Sequence, residues 1–353
     1  MKKHKTSNPR PKKVTSPVLS ASRLAGQAGK KEKSPPAIKV AIIGAGPIGS
    51  ILGAYLLRTR YKVLFVDILK GRLETIKKTG LIISGVANFH IPVSLVSTHI
   101  REIKKFNPDY IFIAVKTSTL SSIMRPVKSA FSKNTVVICF QNGLDVEDEI
   151  SDVLGKNRVL RAVVNYAGNI LNEGQIIMSF FNAPNYIGAM TADSNQHAEK
   201  VARILTETGL TTKFVTDIRK FTWEKAILNA AMAPVCALTR LTMKDAMEFK
   251  GTNELIKELL KESIEVAKAN GYDFGKKFFN EALEYLQKAG PHKASMLTDI
   301  ESKRTTEIAF LNQKLADYGR AKNIPTPYND TLSGLIKGME KSFTPNNSSR
   351  TPA

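Results

Sequence analysis

Short apolar runs alternate with amphipathic stretches over the first two-thirds of the chain, and amphipathic stretches alone continue after it. The runs "IKVAII", "KVLFVD", "YIFIAV", "TVVICF" and "VLRAVV" are nearly continuous, the pattern of strands buried on both faces. Between them, "PIGSILGAYLLRT", "GRLETIKKTG", "TLSSIMRPVKSAF" and "VEDEISDVL" carry helical spacing. Strand followed by helix, repeated, predicts an α/β fold with a doubly wound parallel sheet. "LIISG" with "FHIPVSLV" reads as a hairpin-like region. "GQIIMSF", "NYIGAM", a helix over residues 196–208 and "TKFVT" complete the strand-bearing part.

After Asp217 the strand pattern stops. "FTWEKAILNAAMAPVCALTRL", "TNELIKELLKESIEVAKANG", "KKFFNEALEYLQKAG" and "TTEIAFLNQKLADYGRAKN" all have helical periodicity. Thr252 reads as an N-cap and Gly271 as the residue just past a helix end. Pro234 is expected to bend or end its helix, because proline lacks the N–H of the ladder. The expected organisation is a tail over 1–36, an α/β domain over 37–217, an all-helical domain over 218–342 and a second tail over 343–353.

Composition changes the picture at the ends. The chain has 353 residues and a net charge of +21. Residues 1–36 hold ten basic side chains against Glu32 alone, with many Ser and Pro and no aromatic residue. Such a segment cannot bury enough surface to offset chain entropy, so it is read as disordered. Exposed positive charge also attracts polyanions without specificity, so the charge does not require a specific nucleic-acid partner. No apolar run approaches the roughly 20 residues of a membrane span, and the start of the chain lacks the apolar core of a signal peptide. Cys139 and Cys236 sit in apolar surroundings without metal-ligand spacing, which reads as two free thiols in a reducing, cytoplasmic setting and no metal site.

Candidate chemistry begins at the first strand–helix junction, "VAIIGAGPIGSILGAYL". Gly44 permits a tight turn, Gly46 lets backbone approach a pyrophosphate, and Gly49 lets the helix pack on the strand. With Ala45, Pro47 and Ile48 they form a candidate phosphate cradle at a helix N-terminus. Asp67 closes the second strand, eighteen residues after Gly49, where a carboxylate accepts from ribose hydroxyls and repels a 2′-phosphate. That favours NAD, although Lys70 and Arg72 follow within a turn, and a plain turn aspartate is the alternative. Lys116 and Asn142-Gly143 lie just past two buried strands, the end of an open sheet where ligands bind. A solvated lysine and a plain turn are their structural alternatives.

Lys225 and Asn229 are four residues apart on an otherwise apolar helix, and Glu307 is expected to open the last long helix. Hydride attack on a ketone develops negative charge on oxygen. A lysine there stabilises that charge and delivers a proton, and a carboxylate orients the lysine.

These residues converge on a pattern. "GAGPIGSILGAYL", "AVKTS", "FQNGLD", "WEKAILNAAMAPVCALTRL" and "SMLTDIESKRTTEIAFLNQKL…IPTPYNDTLSGLIK" together resemble the ketopantoate reductase (2-dehydropantoate 2-reductase) family over roughly residues 38–340. The resemblance implies a Rossmann domain followed by a helical domain, of the 6-phosphogluconate dehydrogenase-like type. It implies NADPH-dependent reduction of 2-dehydropantoate to pantoate, on the way to pantothenate and coenzyme A. It further implies that Lys225 is the catalytic proton donor and that Glu307 lies close to both ligands. Lys116 and Asn142 match positions near cofactor and substrate, and Asn229 and Ser295 match substrate-binding positions. Family members are often dimers, so a homodimer is left open. The chain departs from some members at Ala233 and Met243, where they carry asparagines, and at "VDILKGR", where many carry an arginine for the 2′-phosphate. NADP by resemblance and NAD by Asp67 therefore stand side by side. The rival readings are a related dehydrogenase acting on another 2-keto or 3-hydroxy acid, and a non-catalytic dinucleotide-sensing or polyanion-binding protein.

Overall fold

The apolar runs become strands because both faces of the sheet they form are covered by helices, so nearly every strand position is apolar. In the computed structural model, which describes residues 37–343, twelve strands form. They are β1 (Lys39–Ile43), β2 (Lys62–Val66), β3 (Leu81–Gly85), β4 (Phe89–Ile91), β5 (Leu95–Ser97), β6 (Tyr110–Ile113), β7 (Val136–Cys139), β8 (Val159–Val163), β9 (Tyr166–Asn172), β10 (Gln175–Phe181), β11 (Asn185–Ala189) and β12 (Thr212–Phe214). The expected tails lie outside the described residues. The main sheet runs β12-β11-β8-β7-β6-β1-β2-β5. Its neighbours are parallel except β11, which runs antiparallel to β8. The order reverses on either side of β1, so the carboxyl ends of β1, β6, β7 and β8 open on one edge.

Two expectations about strands need correction. The hairpin β3–β4 does form, but in a separate four-stranded sheet, β4-β3-β10-β9, and β10 belongs there too. β9, "YAGNILN", was not expected as a strand at all: it is mostly only partly buried and lacks an apolar run.

From Ile218 onward, no strand occurs among the described residues. The helix Ile218–Thr239 is the centre of the second core, with Trp223, Ala226, Ile227 and Ala230 packed against Ile256, Leu259, Leu260 and Ile336. It does not end at Pro234 but continues to Thr239. The carbonyl that Pro234 leaves without an N–H donor belongs to Ala230, and Asn312 Nδ2 donates to it at 2.8 Å. A tertiary side chain thus replaces the missing rung of the ladder.

Thr252 is not an N-cap. It lies inside the helix Lys250–Ala269, its hydroxyl donating to the Ala246 carbonyl at 2.5 Å. Gly271 follows that helix with φ +92°, the left-handed geometry expected of a terminator. The last amphipathic stretch is two pieces rather than one helix. A 3₁₀ turn, Ile308–Phe310, precedes the helix Asn312–Ala321, with Leu311 between them at φ −117°, ψ −99°. Glu307 therefore sits ahead of a turn and not at the head of a helix. Glu262 accepts from the N–H groups of Tyr328 and Asn329 at 2.9 and 3.0 Å, capping the final helix Pro327–Lys341. No helix among the described residues is long and apolar enough to cross a membrane.

Asn312→Leu keeps the volume but removes the donor to Ala230. The variant is expected to lose about 2 kcal/mol of stability in urea unfolding. A loss under about 0.5 kcal/mol would mean that Asn312 does not make up for the N–H that Pro234 lacks.

Candidate active site

Three loops leaving the carboxyl ends of β6, β7 and β8 bond to the helical part, and a fourth, after β1, is the glycine turn, which comes first. Gly44 has φ +106°, and a Cβ there would stand 2.8 Å from the Ala114 carbonyl carbon, so any side chain is both strained and blocked. A Cβ on Gly49 would overlap the Gly44 carbonyl oxygen. At Gly46 an added Cβ would meet nothing within 4 Å, so the turn leaves open room above its backbone. The helix Pro47–Leu57 begins there with no side-chain cap, leaving its first N–H groups directed at that room. Asp67 accepts from the Ala45 N–H at 2.7 Å and the Leu69 N–H at 2.9 Å, tying the end of β2 to the turn. An open glycine turn with a carboxylate beside it fits a nicotinamide dinucleotide.

The loops after β6 and β7 clasp Glu307. Asn142 Nδ2 donates to Glu307 Oε2 at 3.2 Å. The Thr117 hydroxyl lies 3.3 Å from Glu307 Oε1 and 3.0 Å from the Asn142 carbonyl, and can donate to either. Glu307 itself is 7% exposed. Gly143, φ +106°, allows this approach: a Cβ on it would stand 2.6 Å from Phe310 Cβ, and the next N–H, of Leu144, donates to the Phe310 carbonyl at 2.9 Å.

Lys116 crosses to the helical part as well. Its Nζ donates to Asp299 Oδ2 at 2.5 Å, and Arg304 Nε lies 3.4 Å from the other oxygen. Burial pushes the Asp299 carboxyl up, against the pull of Lys116.

Lys225 lies on the helix Ile218–Thr239 and donates from Nζ to the Val164 carbonyl, just past β8. Gln141, Asn142, Arg161, Thr222, Lys225 and Asn229 line one small cavity. The Lys225 ammonium is pushed down to about 8, by burial first and by the Arg161 guanidinium second, with the Glu307 carboxylate opposing both. An amine with that value stays mostly protonated at neutral pH yet gives up its proton far more readily than an ordinary lysine.

The structure thus brings together Lys225, Asn229, Asn142 and, within electrostatic reach, Glu307. Lys225 and Glu307 make no direct hydrogen bond. Lys116 joins the edge of the group through Asp299, one turn after Ser295 on the helix Ser295–Glu301. Ser295 is exposed and does not line the cavity. Gly44, Ala45, Gly46, Pro47, Ile48, Gly49 and Asp67 form the separate turn described above. Sequence reading missed Thr117, Arg161 and Asp299. Only Arg161 left a signal, as one charge inside the apolar run "VLRAVV".

Two family models match the chain: "Ketopantoate reductase PanE/ApbA" over residues 40–192 and "Ketopantoate reductase PanE/ApbA C terminal" over residues 217–340. A 2-dehydropantoate 2-reductase from Archaeoglobus fulgidus is 30% identical over 303 residues, covering 86% of this chain and 98% of that one. The chain belongs to the ketopantoate reductase family. As such it is a nicotinamide-dinucleotide-dependent oxidoreductase. Among solved structures, a 2-dehydropantoate 2-reductase from Geobacter metallireducens superposes with a TM-score of 0.80 at 24% identity, covering 85% of this chain and 99% of that one. D-mandelate dehydrogenase with NADH and anilino(oxo)acetate does so with a TM-score of 0.79 at 24% identity, covering 87% and 99%. At that identity both establish this reductase's fold and nothing finer.

The lowered Lys225 carries a consequence for stability. The unfolded chain holds this proton to higher pH than the folded one, so folding gains stability as pH rises from about 8 to about 10.5 and carries the full cost below 8. The stability of Lys225→Met relative to the parent, measured by urea unfolding, is therefore expected to fall as pH is raised from 7.5 to 10. A difference that stays constant over that range would mean the amine is not perturbed.

Proposed function

We propose that this reductase converts the ketone of 2-dehydropantoate to the hydroxyl of pantoate, a step towards pantothenate and coenzyme A. The observation that carries the reading is the amine of Lys225, lowered to about 8, in one cavity with Asn142 and Asn229 at the sheet's carboxyl edge. We assign dinucleotide binding to residues 37–217 and the proton donor to residues 218–342.

When bound, the reduced nicotinamide supplies the hydride. Residues 44–49 hold the pyrophosphate on backbone N–H groups, and Asp67 receives the ribose hydroxyls. As charge develops on the ketone oxygen, the Lys225 ammonium stabilises it and then donates its proton. The Val164 carbonyl aims the amine. Glu307 supplies the negative charge that keeps the ammonium populated in a desolvated site. Asn142 and Asn229 orient the substrate's oxygens, and Ser295 reaches the substrate only from the exposed start of its helix.

NADH is the preferred reductant in this reading. The Asp67 carboxylate repels a 2′-phosphate, and Arg72, which could offset that repulsion, is bonded to Glu173 at 2.7 Å. A second reading keeps the mechanism and changes the keto acid: D-mandelate dehydrogenase shares the fold, and Ala233 and Met243 stand where some family members place asparagines.

Initial rates with ketopantoate, against a panel of other 2-keto acids, test the substrate. Turnover of another acid with higher kcat/KM would replace ketopantoate by that acid. Lys225→Ala is expected to lower kcat by roughly 10²–10⁴ with KM little changed. Asp67→Ala is expected to raise KM for NADH more than for NADPH, and an equal rise for both would remove Asp67 from the ribose site.

A further inference from the structure

Arg161 is a full positive charge in the middle of β8, and its residue is 2% exposed. Buried guanidinium groups are costly unless fully paired, so its partners matter. Nη2 donates to the Gly143 carbonyl at 3.0 Å and Nη1 to Cys139 Sγ at 2.8 Å. Neither partner carries compensating charge: a carbonyl is neutral, and burial pushes the Cys139 thiol up, keeping it protonated. The one carboxylate beside it is Glu147, at the start of the helix Val146–Leu154, 3.4 Å from Nε. That pair is not aligned as a hydrogen bond, since Nε and Glu147 Oε2 both lack hydrogen-bond partners. Glu147 is also shared, with Arg219 Nη1 3.6 Å from its other oxygen. The Arg161 charge is thus offset by Glu147, which it shares with Arg219, and at longer range by Glu307, and Arg161 lines the same cavity as Lys225.

We propose that Arg161 is a positioning residue for the reduction: its guanidinium, locked to the Gly143 carbonyl, holds a fixed positive charge on the wall of the cavity that Lys225 lines and fixes the loop that presents Asn142 to the substrate. The inference rests on Lys225 being the proton donor. The charged groups that face the Lys225 amine are Arg161 from β8 and Glu307 from the segment ahead of the 3₁₀ turn. Glu147 acts on the amine only through Arg161, and the Lys116–Asp299 pair sits beyond Glu307. Arg161 is the group that pushes the amine's proton off, and Glu307 the group that holds it on. A like charge in a desolvated pocket disfavours the charged form of its neighbour, so losing Arg161 should be visible.

The experiment follows the alkaline limb of kcat, where Lys225 loses its proton. In the parent the rate is expected to fall above about pH 8. Arg161→Met should move that limb up by about one unit and slow turnover at pH 7, because the donor becomes a weaker acid. Arg161→Lys keeps the charge but loses the fork, and should leave the limb in place while raising KM for the keto acid. If removing Arg161 strands Glu147 and the single variant fails to fold, the double variant Arg161→Met with Glu147→Leu removes both buried charges and is read the same way. A second readout needs no turnover: the ¹⁵N NMR titration of the Lys225 amine in cofactor-free protein, assigned by its absence in Lys225→Ala, should move up with the limb. A folded Arg161→Met variant whose limb and titration both stay at the parent's values would overturn the proposal. If Lys225→Ala retains kcat, the proton-donor reading fails instead, and the two failures are told apart.

Discussion

A carboxylate withdrawn from water must find donors, and Glu307 finds them on the other side of the molecule. Asn142, past β7, bonds one oxygen, and Thr117, past β6, reaches the other. Because Glu307 precedes the 3₁₀ turn whose last residue, Phe310, accepts from Leu144, the same contact seats the helical part on the loops of the sheet. An unpaired buried charge costs several kcal/mol, so this clasp either forms as a unit or not at all. Lys225 and Asn229 then arrive at the cavity on a helix whose path is already set.

That path depends on a substitution of one donor for another. Proline in a helix removes an N–H, and Asn312 fills the gap at Ala230. Asn312 sits at the start of the helix that follows Glu307 by only a few residues. The segment that carries the carboxylate leads directly into the residue that bonds the carbonyl Pro234 leaves free. Residues 307–312 thus both carry the acid and bond the helix that carries the amine.

The charges in the cavity are balanced against each other rather than simply paired. Burial and Arg161 push the Lys225 proton off, and Glu307 holds it on. Lys116 and Asp299 form a separate pair at the margin, closing the site's edge without entering the cavity. A site built this way sacrifices some stability at neutral pH for an amine able to give up its proton, the trade common to strained catalytic groups.

Periodicity and turn chemistry are local, and what they report was readable along the chain. The buried strands, the open glycine turn at Gly46, the carboxylate of Asp67 after β2 and the helices beyond Ile218 all follow from neighbours a few residues apart. So do the candidates Lys225 and Asn229, polar residues on an apolar helix. What the chain could not announce were bonds between residues far apart in sequence. Asn312 against Ala230, Thr117 against Glu307, Arg161 against Gly143 and Lys116 against Asp299 exist only once the fold has closed. A hydrogen bond or a shifted proton depends on distance and burial in space, and no spacing along a chain encodes either.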